Sequence, residues 1–323
     1  MSPPSLRDAA FPNAVPRAES ILAEEARVTR RNVLVSSRAR IRRNEGLLEV
    51  ETASRTARIP FREVGCLVVE DLGTTLTAAS VASLMEARSV VVLCGQSHMP
   101  LGMALPVEGP CRQSELVEMQ IGMSGPLRKR LWRRIVRAKI ENQARVLGLL
   151  GHDPKPLRVM AKAVRSDDAD NREGAAAAIY FRTLVPDGGR RDGIRTGPLD
   201  YGYAILRGCV ARHAAAGGWL LSRGLKHHSQ YNAFNLVDDL IEPLRPIVDL
   251  VVVTNDLADP MDSSERATLV RTLECLMVMD GRRMTVDACA DEMVDSLRAA
   301  LKHEEDSLLR LPELDGLAYA EYE

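Results

Sequence analysis

Three separated stretches carry the residue types that could grip a divalent cation. Gly224-Leu225-Lys226-His227-His228 supplies an imidazole. Asp238-Asp239-Leu240-Ile241-Glu242-Pro243-Leu244-Arg245-Pro246 follows and supplies carboxylates. On a helix Glu242 shares a face with Asp239 (i, i+3) and with Asp238 (i, i+4), so a carboxylate pair sits one turn apart. The third stretch is Asn171-Arg172-Glu173-Gly174-Ala175-Ala176-Ala177-Ala178-Ile179-Tyr180-Phe181, where Glu173 heads a small, apolar helix. A lone carboxylate beside four alanines belongs where helices pack closely, and burying it unpaired is costly. It needs an arginine, a metal ion or a proton. Two carboxylates and one imidazole suit Mg²⁺ or Mn²⁺. Spacing alone equally allows blander roles: Glu173 as an ion-pair partner, His227 as a capped surface histidine, and the Asp-Asp-Leu-Ile-Glu run as a solvated helix face. No P-loop, G-x-G-x-x-G turn, H-E-x-x-H helix or EF-hand loop is present.

These residues must be held by a chain of 323 residues, for which two domains is the starting expectation. Hydrophobic residues at 46% and charged residues at 27% exclude global disorder and collagen-like repeats. Aromatics at 4% argue against an extended stacking platform for single-stranded bases. No apolar run approaches a bilayer span. Residues 1–26, with Pro3, Pro4, Pro12 and Pro16, read as a loose arm, not a signal peptide. Cys66, Cys94, Cys111, Cys209, Cys275 and Cys289 are scattered without C-x-x-C spacing, which fits free thiols in a reducing cytoplasm.

Up to about residue 108 the chain reads as β-rich. The runs are Val33–Val35, Leu47–Val50, Ala57–Ile59, Cys66–Val69 and Val90–Leu93, with a turn at Asn44-Glu45-Gly46 and one helix over Thr77–Arg88. Short strands at this spacing predict a small sheet or sandwich. Beyond Pro106–Pro110 helical patterns take over: Arg112–Met123, Pro126–Leu150, Pro156–Val164, Asp168–Phe181, Tyr201–Ala215, Asn235–Ile241, Ser263–Met279 and Val286–His303. The expected fold class is therefore α+β. A small N-terminal β-sheet domain (27–108) precedes a larger all-α domain (109–305) and an acidic tail (306–323). The Val185–Pro198 loop, with four glycines and three arginines, reads as disordered.

A net charge of −1 hides segregation. Arg27–Arg43 holds seven arginines and no acid, and Arg128–Arg145 holds eight basic residues against Glu141 alone. In the second block Arg130, Arg133, Arg134 and Arg137 form one helical stripe, which suits a phosphate backbone or, equally, plain solvent. From Asp287 onward eleven acids face three basic residues, the pattern of a solubilising or flexible end.

The chain resembles the CRISPR-associated integrase family, which inserts new spacers into CRISPR arrays. The resemblance rests on Glu173-Gly174-Ala175-Ala176 through Tyr180-Phe181, on Gly224-x-x-His227, and on Asp239-Leu240-Ile241-Glu242-x-x-Arg245-Pro246. Lys139-Ile140-Glu141-Asn142-Gln143 and Tyr201-Gly202-Tyr203 support it, from about Arg30 to Leu301. The His-His pair and the Glu-Pro junction look like the branch that accompanies a single-effector RNA-guided nuclease. Asp200 departs from the asparagine usual there. The resemblance implies a metal-dependent DNA endonuclease and integrase in which Glu173, His227 and Glu242 hold Mg²⁺ or Mn²⁺. Asp239 and His228 would stand in support. Arg130, Arg133, Arg134, Arg137, Lys226 and Arg245 are candidates for contacts to double-stranded DNA. The attacking group would be the 3′-hydroxyl of the incoming DNA. A homodimer, joined through the β domain and working with a small CRISPR adaptation partner protein in the cytoplasm, is also implied. A non-catalytic DNA-binding subunit and a branched-DNA nuclease without integration are the alternatives.

Overall fold

A computed structural model describes residues 30–107, 113–185 and 195–321. The expected N-terminal arm, Cys111 and residues 186–194 of the glycine-rich loop lie outside the described residues.

Two four-stranded sheets make up the N-terminal part. The first has the order β1-β5-β7-β8, from Arg31–Val35, Val64–Val69, Val90–Cys94 and Pro100–Ala104. Its first three strands are parallel and β8 runs antiparallel to β7. Helix α1 (Ala78–Glu86), capped by the Thr77 side chain, lies between β5 and β7 in the chain. The second sheet has the order β4-β3-β2-β6, from Thr56–Pro60, Leu47–Thr52, Ala39–Asn44 and Thr75–Leu76.

Strand β5 explains how the parts join. Every one of its residues is buried. Val64, Leu67 and Val69 enter a core shared with Ile41, Leu48 and Val50 of the second sheet. Cys66 and Val68 enter the large helical core on the opposite face. A strand covered on both faces reads as a continuous apolar run, and this one does.

Strand β2 lies inside the first arginine block. Ala39 and Ile41 point inward while Arg40 is exposed, so the apparent basic patch is partly an ordinary alternating strand. The turn at Glu45-Gly46, both at positive φ, joins β2 to β3, not β1 to β3. Arg42 and Arg58 converge on Glu49 Oε1 and Oε2 at 2.7 and 2.8 Å, and Asn44 donates to Oε2 at 2.8 Å. The bonds from Asn44, Arg42 and Arg58 hold the Glu49 carboxyl down at about 2. A depressed carboxyl stabilises the fold above its ordinary pKa, and that contribution is lost as pH falls through the native value. Thermal melts should therefore lose stability between about pH 4.5 and 2, and Glu49→Gln should flatten that limb. An unchanged acid limb in the variant would refute the assignment.

The larger part is built on the long helix α3 (Gly125–Leu149), which follows α2 (Gln113–Ile121) and precedes α4 (Lys155–Lys162), α5 (Arg172–Leu184) and α6 (Thr196–Ala216). Then come α7 (Asn235–Leu240), α8 (Arg245–Thr254), α9 (Ser263–Val270) and α10 (Val286–Lys302). The α+β class stands, as N-terminal sheets followed by a helical region.

Three details differ from expectation. The helical part is not all-α: Leu276–Met279 and Arg282–Thr285 pair as an antiparallel hairpin, β9–β10, so the helix expected over Ser263–Met279 stops at Val270. Helix α8 was hidden by the five β-branched residues between Ile247 and Val253, which resemble a strand but lie in a helix buried on nearly all sides. The acidic tail is not a loose end. Leu309 and Leu314 are buried, and Glu313 and Tyr319 bridge to Val278 and Cys275 beside β9. Its leucines seat it in the core, and two of its acids, Asp306 and Glu313, pair with Arg130 and Arg145. No helix among the described residues is long and apolar enough to cross a membrane. The five described cysteines are free and buried.

Candidate active site

Glu173 sits in the first turn of α5. Asp168 accepts from the backbone N–H groups of Arg172 and Glu173 at 2.9 and 3.1 Å, and Asn171 accepts from Gly174 at 3.3 Å. These caps satisfy orphan donors and fix the helix start, where the helix dipole favours a carboxylate. The alanine helix is less enclosed than its composition predicts: Ala176 and Tyr180 are buried, whereas Gly174, Ala175 and Ala178 are exposed. Glu173 keeps 26% of its side chain open to solvent.

Glu242 lies in the turn between α7 and α8 and is nearly fully buried. Its partner is Lys139, a lysine on the buried face of α3 in line with Trp132 and Ile135. The Lys139 ammonium touches Glu173 Oε1 at 2.6 Å and ion-pairs with Glu242 Oε2. On the other side Arg245 Nε stands 3.1 Å from Glu242 Oε1, its guanidinium stacked 4.9 Å over the Tyr203 ring. Burial alone would raise the Glu242 carboxyl, but the charges of Lys139 and Arg245 outweigh it and hold it below the usual range. Burial likewise works against the Lys139 ammonium, and Glu242 and Glu173 more than restore it.

His227 is held from behind. Its Nδ1 lies 2.7 Å from Asp239 Oδ1, and Asp239 also accepts from the backbone N–H groups of Leu225, Lys226 and His227 at 2.5, 2.9 and 3.2 Å. An ionised carboxylate only accepts, so Nδ1 carries the hydrogen and Nε2 keeps its lone pair. The Asp239 bond raises the His227 pKa, burial offsetting part of it. A side chain at Gly224 would strike the His227 carbonyl and the Asp239 carboxylate, which is why glycine opens this loop. Trp132 packs edge-on against the imidazole at 6.0 Å.

The other predicted site residues divide clearly. Asp239 is fully enclosed and acts through His227. Asp238 turns away to Arg207 and Asn232. His228 is exposed, bonds the Lys226 carbonyl and, with His227 and Arg128, lines an open groove. Lys226 reaches Asp167 at 2.9 Å, and Arg245 is committed to Glu242. The basic stripe is split: Arg130 pairs with Asp306 at 2.8 Å and Arg134 donates to the Leu309 carbonyl, both clasping the tail, while Arg133 and Arg137 are exposed. Asn142 ties the tail to the site, donating to the carbonyls of Pro243 and Pro312 and accepting from Leu314 N–H. In the sequence Lys139 and Asn142 belong to the Lys139–Gln143 stretch that supports the family resemblance, and both are polar residues on the buried face of α3.

The donor set fits a hard divalent cation. Two carboxylates from different elements already share one buried cation, and an imidazole with a fixed tautomer stands within electrostatic reach of Glu242. Among the described residues the trio whose ligand atoms lie within 4.8 Å of one another is a different one, Cys209, His213 and Asp287. That trio already contains a cation: Arg212 pairs with Asp287, lies 2.9 Å from His213 Nε2 and donates to the Arg88 carbonyl. It clips the sheets to α6 and α10.

Residues 33–187 and 189–290 match the model of the CRISPR associated protein Cas1 family. The chain is 34% identical over 304 residues to the CRISPR-associated endonuclease Cas1 of Neisseria meningitidis serogroup C strain 8013, covering 92% of this chain and 100% of that protein. It is 28% identical over 250 residues to a CRISPR-associated endonuclease Cas1 of Pyrobaculum aerophilum, covering 72% of this chain and 83% of that one. The fold matches a casposase bound to integration product with a TM-score of 0.71 at 17% identity, over 85% of this chain and 91% of the casposase. It matches a Cas1 protein from Thermotoga maritima with a TM-score of 0.66 at 15% identity, over 90% and 100%.

Proposed function

The chain belongs to the Cas1 family of CRISPR-associated proteins, and from that premise we propose that it is a divalent-metal-dependent DNA endonuclease and integrase, with Glu173, His227 and Glu242 as the ligands of Mg²⁺ or Mn²⁺. The observation that carries this reading is the meeting of Glu173 and Glu242 on one buried cation beside an imidazole fixed by Asp239. A bound metal supplies charge withdrawal from the attacked phosphate and stabilisation of the leaving oxygen.

The chain's own residues do the positioning. Asp239 keeps the His227 lone pair on Nε2, and Arg245 and Asn142 hold the Glu242-Pro243 turn in place. Arg133, Arg137 and Arg128 are exposed on α3, the last lining the groove with His227, and are suited to salt-sensitive phosphate contacts. The attacking group is the 3′-hydroxyl of incoming DNA, and the product is that DNA joined to a CRISPR repeat. We place the protein in a homodimer joined through the N-terminal sheets and paired with a small adaptation protein. A solved Cas6-RT-Cas1–Cas2 complex shares the fold at a TM-score of 0.66, which supports the pairing with a second adaptation protein.

The test incubates the protein, with and without its small partner, with a labelled duplex and a supercoiled repeat-bearing plasmid. Joining is expected with Mg²⁺ or Mn²⁺, and not with EDTA, with a 3′-dideoxy end, or in Glu173→Ala, His227→Ala or Glu242→Ala. Metal-dependent cutting without joining would favour the nuclease alternative. Binding unaffected by metal or by the three substitutions would favour the non-catalytic one.

A further inference from the structure

Four charged groups meet at the candidate metal site: Glu173 and Glu242 against Lys139 and Arg245. Their formal charges cancel, so a divalent ion entering this cluster gains little attraction while both cations stay. The two cations are not equivalent. Arg245 is 20% exposed, stacked on Tyr203 and paired with Oε1 of Glu242, not the oxygen that meets Lys139. Lys139 reaches between the carboxylates on a flexible four-carbon stem and meets Glu173 Oε1 and Glu242 Oε2. The side chain of Glu173 is 26% exposed, so the pair can be approached from solvent.

We propose that Lys139 is a built-in stand-in for the metal: its ammonium holds Glu173 and Glu242 together in the metal-free protein and must be displaced when the divalent ion binds. This deepens the metal reading given above and rests on it. The lysine is a positioning residue that lowers metal affinity and raises the stability of the metal-free state, keeping two carboxylates from repelling each other until an ion arrives. It also makes metal entry an exchange of cations instead of a simple addition.

The experiment measures Mn²⁺ binding by calorimetry and electron spin resonance, without DNA, for wild type, Lys139→Met and Glu173→Gln. With the ammonium removed, Mn²⁺ should bind roughly tenfold tighter or more, since a charge in direct contact is lost. The metal-free variant should melt below wild type, and Mn²⁺ should raise its melting temperature by a larger increment than in wild type. Affinity in Lys139→Met equal to wild type, or weaker, overturns the exchange while leaving the metal site standing, provided Glu173→Gln loses binding. Wild-type Mn²⁺ binding indifferent to Glu173→Gln overturns the metal reading and this inference together. Should Lys139→Met fail to fold, ¹³Cε-lysine NMR on the wild type decides, with the signal assigned through Lys139→Arg. A shift of the Lys139 resonance on adding Mg²⁺ is expected, and an unmoved resonance overturns the proposal.

Discussion

Asp239→Ala should lose metal binding and stability together. The carboxylate accepts three backbone N–H groups of the Leu225–His227 loop and the His227 ring from a fully buried position. Its removal strands those donors and frees the imidazole to rotate and change tautomer. Each buried donor left unmade costs on the order of 1–3 kcal/mol, and partial access of water to Lys226 and His227 brings the total to about 2–4 kcal/mol. Asp239→Asn separates the effects. The amide keeps one acceptor oxygen but turns an N–H₂ toward a neighbouring donor, so Nδ1 loses its strong anchor. Loss of such an outer partner typically costs about 10–100-fold in metal affinity or activity. Calorimetric Mn²⁺ titration beside thermal melts measures both quantities, and Asp239→Asn binding Mn²⁺ as wild type does would end this account of His227.

Arg266→Met should destabilise the protein by about 3–5 kcal/mol, the usual cost of stranding one member of a buried ion pair. Glu70, just beyond β5, has a fully buried side chain and receives Arg266 Nε from α9 at 2.8 Å and the Tyr201 hydroxyl from α6 at 2.9 Å. Its second oxygen, Oε2, makes no hydrogen bond and lies 3.8 Å from Nδ1 of the half-exposed His98. Without the guanidinium, a buried carboxylate between the first sheet and the helices loses its permanent cation, and folding must either protonate it, charge His98 or admit water. The double variant Glu70→Leu/Arg266→Met should recover most of the loss, because the charge needing a partner is gone as well. Urea unfolding of the two single variants and the double variant tests this. A loss below about 1 kcal/mol in Arg266→Met would mean the pair is solvated.

Much of the architecture could be read in the chain because its signals are local. The β5 run from Val64 to Val69 is apolar at every position, and Pro126 with the Ser124 cap starts α3 where a first-turn proline belongs. The elements that went unread carry conflicting local signals. In β2 arginines alternate with the buried Ala39 and Ile41, so charge masked the period. In α8 β-branched residues fill a helix enclosed by its neighbours. In the tail the acids are interspersed with the leucines that seat it in the core, so charge masked the apolar residues. Local propensity is a weak prior, and packing overrode it in each case.

The candidate site divides along the same line. Sequence by itself determined that Glu242 and Asp239 lie within one turn and that Glu173 heads a helix. These follow from the helical repeat and from local composition, which are properties of short segments. Only the tertiary structure showed how these acids are partnered: Asp239 is saturated by its own loop, Asp238 is taken by Arg207, and Glu242 shares the Lys139 ammonium with Glu173. Only the tertiary structure, too, put Lys139 between them and divided the arginine stripe into Arg130 and Arg134, which clasp the tail, and Arg133 and Arg137, which remain exposed. Buried charges are stable only with partners, and those partners come from segments 34 to 176 residues away, where no local pattern can name them.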